Sequence, residues 1–215
     1  MSGQGPVFGV SFRDELAQLM RWRRDVRRFR TDPAPEELID HLFDLAQLSP
    51  SVGNSQPWRI MRVESAAKRA AIRDNFLACN AEALAAQEDD ESAAIYARLK
   101  LAGLDAAPVQ LAVFCDHATP QGHGLGKRTM PETLDYSVVG MINALWLAAR
   151  AAGLGLGWVS ILDPVAVCAA LDIPESYKFI AFLCLGWPEE EHIDPELVRC
   201  GWQDRTAAGR KVLIV

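Results

Sequence analysis

Cysteine and histidine are scarce in this sequence, and neither is spaced as a scaffold. The five cysteines (Cys79, Cys115, Cys168, Cys184, Cys200) are odd in number, widely separated and free of any C-x-x-C pair. That excludes a disulfide framework or a zinc ribbon and predicts reduced, buried thiols. The four histidines (His41, His117, His123, His192) show no H-x-x-x-H spacing, so no catalytic metal is expected. Basic residues are outnumbered, 22 against 28 acidic ones, for a formal charge of −6. A nucleic-acid binder needs a broad basic face, so nucleic acid is not an expected partner. The longest uncharged apolar-rich stretch, Ser137 to Ala149, is shorter than the ~18–20 residues that cross a bilayer. The N-terminus, MSGQGPVFGVSFRDE, has neither the basic start nor the apolar core of a signal peptide. The expectation is a cytoplasmic protein with no membrane partner.

What is present is an ordinary globular mixture over 215 residues, half of them hydrophobic and 23% charged. A chain of this length buries roughly 70% of its unfolded surface and needs no staple to fold. No repeat or low-complexity linker divides it, so a single domain over 1–215 is expected. Apolar spacing predicts helices at about 12–22, 36–48, 65–87, 92–103 and 133–152, the last apolar nearly all round and so a central or interface helix. Strands are expected at 58–63, 109–115, 156–160 and 177–185. Asp163-Pro164 suits the N-cap and first position of a short helix. Long helices with a few strands and no regular βαβα alternation give an α+β class, helices around a small sheet.

Two glycine-rich runs imitate nucleotide motifs without satisfying them. Gly153-Leu-Gly-Leu-Gly157 follows a helix and precedes a strand, the reverse of a dinucleotide fingerprint. Gly122-His-Gly-Leu-Gly-Lys-Arg-Thr129 lacks the first glycine of a P-loop and has Arg128 after Lys127. No G-x-S-x-G elbow occurs.

Four segments retain chemical promise. Six of the 22 basic residues fall between Arg21 and Arg30, and an acidic protein that gathers arginines in one place is suited to one small anion. Guanidinium forks match phosphate bidentately. Arg23 and Arg27 would converge on one helical face, whereas an extended segment would bring alternate residues together. Asp25 sits inside the cluster, where cations should favour its charged form; the bland alternative is a solvated basic face. Ser51-Val-Gly-Asn-Ser-Gln-Pro-Trp58 is a small, polar loop, able to approach a planar ligand or simply to anchor on Trp58. Gly155-Leu-Gly-Trp-Val-Ser160 would let a flat ring lie close and present the Ser160 hydroxyl, although glycine in a strand often marks only a bulge. Gly201-Trp-Gln-Asp-Arg205 could return a cation to the same anion, but on local grounds Arg205 is an exposed tail residue.

Taken together and in this order, these segments resemble the FMN-binding nitroreductase superfamily, with an N-terminal R-R-x-x-R, a later S-x-x-x-S-Q-P-W and a C-terminal basic residue. Asp25 and Gly157-Trp-Val-Ser160 look most like its flavin-fragmenting branch, with support from Tyr96 to Gly103, Leu134 to Ser137, Leu145 to Arg150 and Cys184 to Gly186. Asn54-Ser55 before Gln56 is shared with ordinary nitroreductases and marks only the superfamily. The resemblance implies a nitroreductase-like fold with a small mixed or antiparallel sheet, and a homodimer binding FMN between subunits. It implies that Arg23, Arg24, Arg27 and Arg205 hold the phosphate and ribityl chain, with Asp25 and Val26 also at the cofactor. Ser51, Gly53 and Gln56 would line the flavin, Leu99 would sit on a lid-like helix closing over it, and Ser160 would hydrogen-bond it near its reactive centre, with Asp25 and Ser160 catalytic. The implied activity consumes reduced FMN, supplied by a separate NAD(P)H-dependent flavin reductase, together with O2. Its products would be 5,6-dimethylbenzimidazole, the lower ligand of cobalamin, and erythrose 4-phosphate. The alternatives are an NAD(P)H-dependent nitro- or quinone reductase and a non-catalytic flavin-binding protein.

Overall fold

The most continuously apolar segments of the sequence become the two central strands of the sheet. The computed structural model describes residues 5–87, 94, 103–206, 212 and 214. The strands are β1 (Trp58–Arg62), β2 (Val109–Asp116), β3 (Gly155–Val159) and β4 (Tyr177–Gly186). Their order is β1-β2-β4-β3, and every neighbouring pair is antiparallel. Around them lie α1 (Val10–Trp22), α2 (Glu36–Ala46), α3 (Ala66–Ala85), α4 (Gly103–Ala106), α5 (Thr133–Ala151), α6 (Pro164–Leu171) and α7 (Glu196–Arg199). The expected helix at 92–103, with Leu99, falls almost wholly outside the described residues.

β2 is buried at all of its positions because both faces of the sheet are covered. Alternate side chains divide between two cores. Leu111 and Val113 meet Ile39 and Leu42 of α2 and Met141, Ile142 and Leu145 of α5. Ala112 and Phe114 meet Ile72 of α3, Val167 of α6 and Phe29. The α6 start forms as its sequence predicts, with Asp163 Oδ1 accepting from the Val165 N–H at 2.8 Å and Pro164 in the first turn. α5 is central through its buried face, yet it leaves Tyr136 and Val139 exposed. α1 buries none of its residues, and Val10, Phe12, Met20 and Trp22 are exposed on it.

Candidate active site

α1 ends at Trp22, and the arginine cluster leaves it as extended chain, beginning with Arg23 at φ −67° and ψ 117°. The segment runs along the outer edge of β3. The Val26 N–H donates to the Leu156 carbonyl at 3.1 Å, and the Arg30 N–H donates to the Trp187 carbonyl at 2.8 Å. Asp25 bridges Leu156 and Phe29 bridges Pro188. Gly155 and Gly157 make this approach possible. A Cβ on Gly157 would lie 2.1 Å from the Val26 carbonyl oxygen, and one on Gly155 would lie 2.7 Å from Val26 Cγ2. These glycines, which the sequence suggests for a flat ring, instead admit the backbone and side chain of Val26.

Of the two arrangements open to Arg23 and Arg27, the structure takes the extended one. Alternate positions Arg23, Asp25 and Arg27 open onto one cleft of about 160 Å³, which Arg24, Pro195, Glu196, Leu197 and Arg205 complete. Its size and its lining suit a small anion such as a phosphate group. Four guanidiniums face two carboxylates, Asp25 and Glu196, an excess of two positive charges.

Arg23, Arg24 and Arg27 are each held in place. Arg23 lies 4.8 Å above the centre of the Trp146 ring, and Trp146 Nε1–H donates to the Arg24 carbonyl at 3.0 Å. Arg24 Nε donates to the Ile193 carbonyl at 2.8 Å. Burial, then Arg205 and Arg23, lowers the Arg24 pKa, as expected where cations gather with too little counter-charge. Arg27 Nε stands 3.6 Å from Asp25 Oδ2 and 4.0 Å from Glu196 Oε2.

Asp25 departs from its sequence expectation. Its Oδ1 accepts from the Trp158 N–H at 2.8 Å, and Arg27 and Arg23 also favour the carboxylate. Burial nevertheless outweighs all three and pushes its pKa above the ordinary value. The carboxyl therefore keeps its proton to a higher pH than an ordinary aspartate does. Ser160 lies exposed just beyond β3, two residues or about 7 Å of extended chain from the Trp158 N–H that holds Asp25. Asp25 and Ser160 thus share one sheet edge, though Ser160 does not line the arginine cleft.

The second binding segment is equally well built but lies elsewhere. Ser51 Oγ accepts from the Gln56 N–H at 3.0 Å, and the Val52 N–H donates to Ser137 Oγ at 3.0 Å. Gln121 Nε2 donates to the Asn54 carbonyl at 2.8 Å. Gly53 has φ +57°, and a Cβ there would come within 3.0 Å of the Gly122 and Leu125 carbonyls. Trp58, which follows this loop, is level with Cys115 and Lys178, whereas Asp25 is level with Leu156 and Leu185. At ~3.3 Å per residue and ~4.8 Å between strands, the two segments stand roughly 30 Å apart, at diagonally opposite corners of the sheet. One chain unites Arg23, Arg24, Asp25, Arg27 and Arg205 but does not bring Ser51, Gly53 and Gln56 to them.

Sequence reasoning missed Glu196 and Trp146. Glu196 follows Arg27 by 169 positions with no local motif, and a carboxylate is not what one seeks in an anion cleft. Trp146 showed only as one apolar residue of α5, whereas its ring and N–H position Arg23 and Arg24.

Residues 20–187 match the Nitroreductase family. The chain is 62% identical over 201 residues to the 5,6-dimethylbenzimidazole synthase of Rhodospirillum rubrum, covering 94% of this chain and 95% of the relative. It is 50% identical over 197 residues to the protein of the same name from Rhodobacter capsulatus, covering 92% and 95%. A solved structure of oxidized iodotyrosine deiodinase bound to FMN and 3-iodo-L-tyrosine superimposes with TM-score 0.69 at 23% identity, covering 82% of this chain and 91% of that one. The antiparallel sheet and its surrounding helices are therefore the nitroreductase-like fold. With the family matched over most of its length and the synthases aligned almost end to end, the chain belongs to the nitroreductase family of flavin-binding oxidoreductases.

Proposed function

We propose that this chain is a 5,6-dimethylbenzimidazole synthase that uses O2 to fragment reduced FMN into 5,6-dimethylbenzimidazole and erythrose 4-phosphate. The observation that carries this reading is Asp25, a carboxyl whose pKa burial raises above the ordinary aspartate value, set inside a cleft of four arginines and hydrogen-bonded to the Trp158 N–H. The relatives at 62% and 50% identity that bear the synthase name support it.

The cleft fits the phosphate end of FMN. Its excess of positive charge suits a phosphate dianion. Arg23, Arg24, Arg27 and Arg205 would hold that phosphate, with Val26 fixing their segment to β3. Reduced flavin supplies the electrons that activate O2. Asp25 is placed to hold or pass a proton beside the polyol, and Ser160 offers a hydroxyl farther along the same edge. Ser51, Gly53 and Gln56 would line the flavin from a second copy of the chain, since roughly 30 Å of sheet separates them from the arginines within one copy. The exposed apolar residues of α1 and α5 offer a surface for that homodimer. Closing the site between two copies would exclude water, which oxygen chemistry on reduced flavin requires.

In this reading the whole chain is one FMN-handling domain. NAD(P)H acts only through a separate flavin reductase, and free thiols at all five cysteines accord with a cytoplasmic location. The test is one aerobic turnover with pre-reduced FMN, followed by product analysis. We expect 5,6-dimethylbenzimidazole in proportion to flavin lost. Quantitative return of oxidised FMN would overturn the proposal, and bleaching by NAD(P)H with nitroaromatic turnover would replace it with a reductase.

A further inference from the structure

Across the sheet from the arginine cleft, three metal-ligating side chains from two parts of the chain meet. They are Cys115 near the end of β2, His117 just beyond it and Asp135 in the first turn of α5. Their Sγ, ring nitrogen and carboxylate oxygen all lie within 4.8 Å of one another. His117 Nε2 is 2.8 Å from Asp135 Oδ1, and Lys178 Nζ donates to Asp135 Oδ2 at 2.6 Å. We infer that Cys115, His117 and Asp135 form a binding site for one thiophilic divalent cation of the Zn²⁺ class.

The chemistry suits that ion. One thiolate, one imidazole and one carboxylate are the donors zinc takes at about 2.0–2.3 Å, with a fourth tetrahedral position left for water. Small shifts of these side chains bring the three donor atoms to such distances. On binding, the buried Cys115 thiol would give up its proton, which leaves by way of the part-exposed His117 side, and His117 Nε2 would exchange its contact with Asp135 Oδ1 for the metal. Lys178 stays on Asp135 Oδ2 and fixes the ligating carboxylate from behind, as an outer-shell donor does. Cys115 is fully buried, while the His117 side chain is 36% exposed, so the imidazole is the ligand an ion from solvent would meet first.

The position also gives the site a consequence. Cys115 pairs with Trp58, and the Asp116 N–H donates to the Pro57 carbonyl at 2.8 Å. Asp135 lies two residues from Ser137, whose Oγ accepts from the Val52 N–H. Two of the three ligands thus flank the attachments of the 51–57 loop. A bound ion would tie β2 to α5 directly behind that loop.

The site stands independently of the flavin reading, so its test is spectroscopic. The reduced full chain is titrated with Co²⁺ alone. We expect a thiolate-to-cobalt charge-transfer band that saturates at one equivalent and is erased by Zn²⁺. Cys115→Ser should abolish the band. His117→Gln, at a part-exposed position where folding is safe, should weaken Co²⁺ binding by more than the roughly 10–100-fold that loss of an outer partner costs. No band in the parent, a band unchanged in Cys115→Ser, or unchanged affinity in His117→Gln would each overturn the inference.

Discussion

Asp25 was conspicuous as the one acid among six arginines, and its environment reverses the simplest electrostatic guess about it. Cations nearby favour a carboxylate, but removal from water opposes it more strongly here. The sequence could show the neighbours but not the desolvation, which depends on β3 and α7 closing around the segment. Because its folded pKa lies above the unfolded value, the contribution of Asp25 to stability is fully present below pH 3.8 and is lost as pH rises through the folded pKa. Asp25→Asn should therefore leave the melting temperature at neutral pH unchanged or higher, with the difference vanishing below pH 3.8. Removing a negative charge from the cleft should leave FMN binding at least as tight while product formation is lost. Calorimetry, flavin titration and product analysis of this variant check the three outcomes. Loss of binding together with activity would make Asp25 structural.

Segment 23–30 and β3 illustrate how far local pattern carries at the scale of elements. Apolar runs place all four strands to within about a residue, and Asp163-Pro164 locates the start of α6, because capping and burial act over a few positions. The role of Gly155 and Gly157 was not legible in the same way. Their lack of side chains signals a close approach, but not what approaches. In the fold it is Val26, whose carbonyl lies where a Cβ of residue 157 would be. Gly157→Ala must push backbone against backbone. We expect it to cost about 1–3 kcal/mol in stability and to weaken FMN binding by displacing Arg23 and Arg27. Chemical denaturation and flavin titration measure both effects. Unaltered values would mean that the edge yields without strain.

For the whole molecule, the decisive fact is the separation between two well-ordered binding segments that one chain keeps at opposite corners of its sheet. The exposed Tyr136 and Val139 of α5 and the apolar residues of α1 supply a surface on which a second copy could bring them together. Val139→Asp would place a charge on that surface at little cost to the isolated chain, since Val139 is 42% exposed there. We expect monomers by sedimentation and, in the same variant, loss of flavin binding. A dimer that persists, or a monomer that still binds FMN, would show that the site is completed another way.

By itself the sequence determined the class, the strands, the family and the residue types that meet a phosphate, because these depend on periodicity, capping and motif chemistry along the chain. Tertiary structure decided which residues meet. It brought Arg205 and Glu196 to Arg27 across more than 160 positions and set Asp135 against Cys115 and His117. It kept the 51–57 loop away from the arginine cleft of its own chain. Such pairings follow from strand order and from which face each helix covers, and these are settled by burial of the whole core rather than by any local signal.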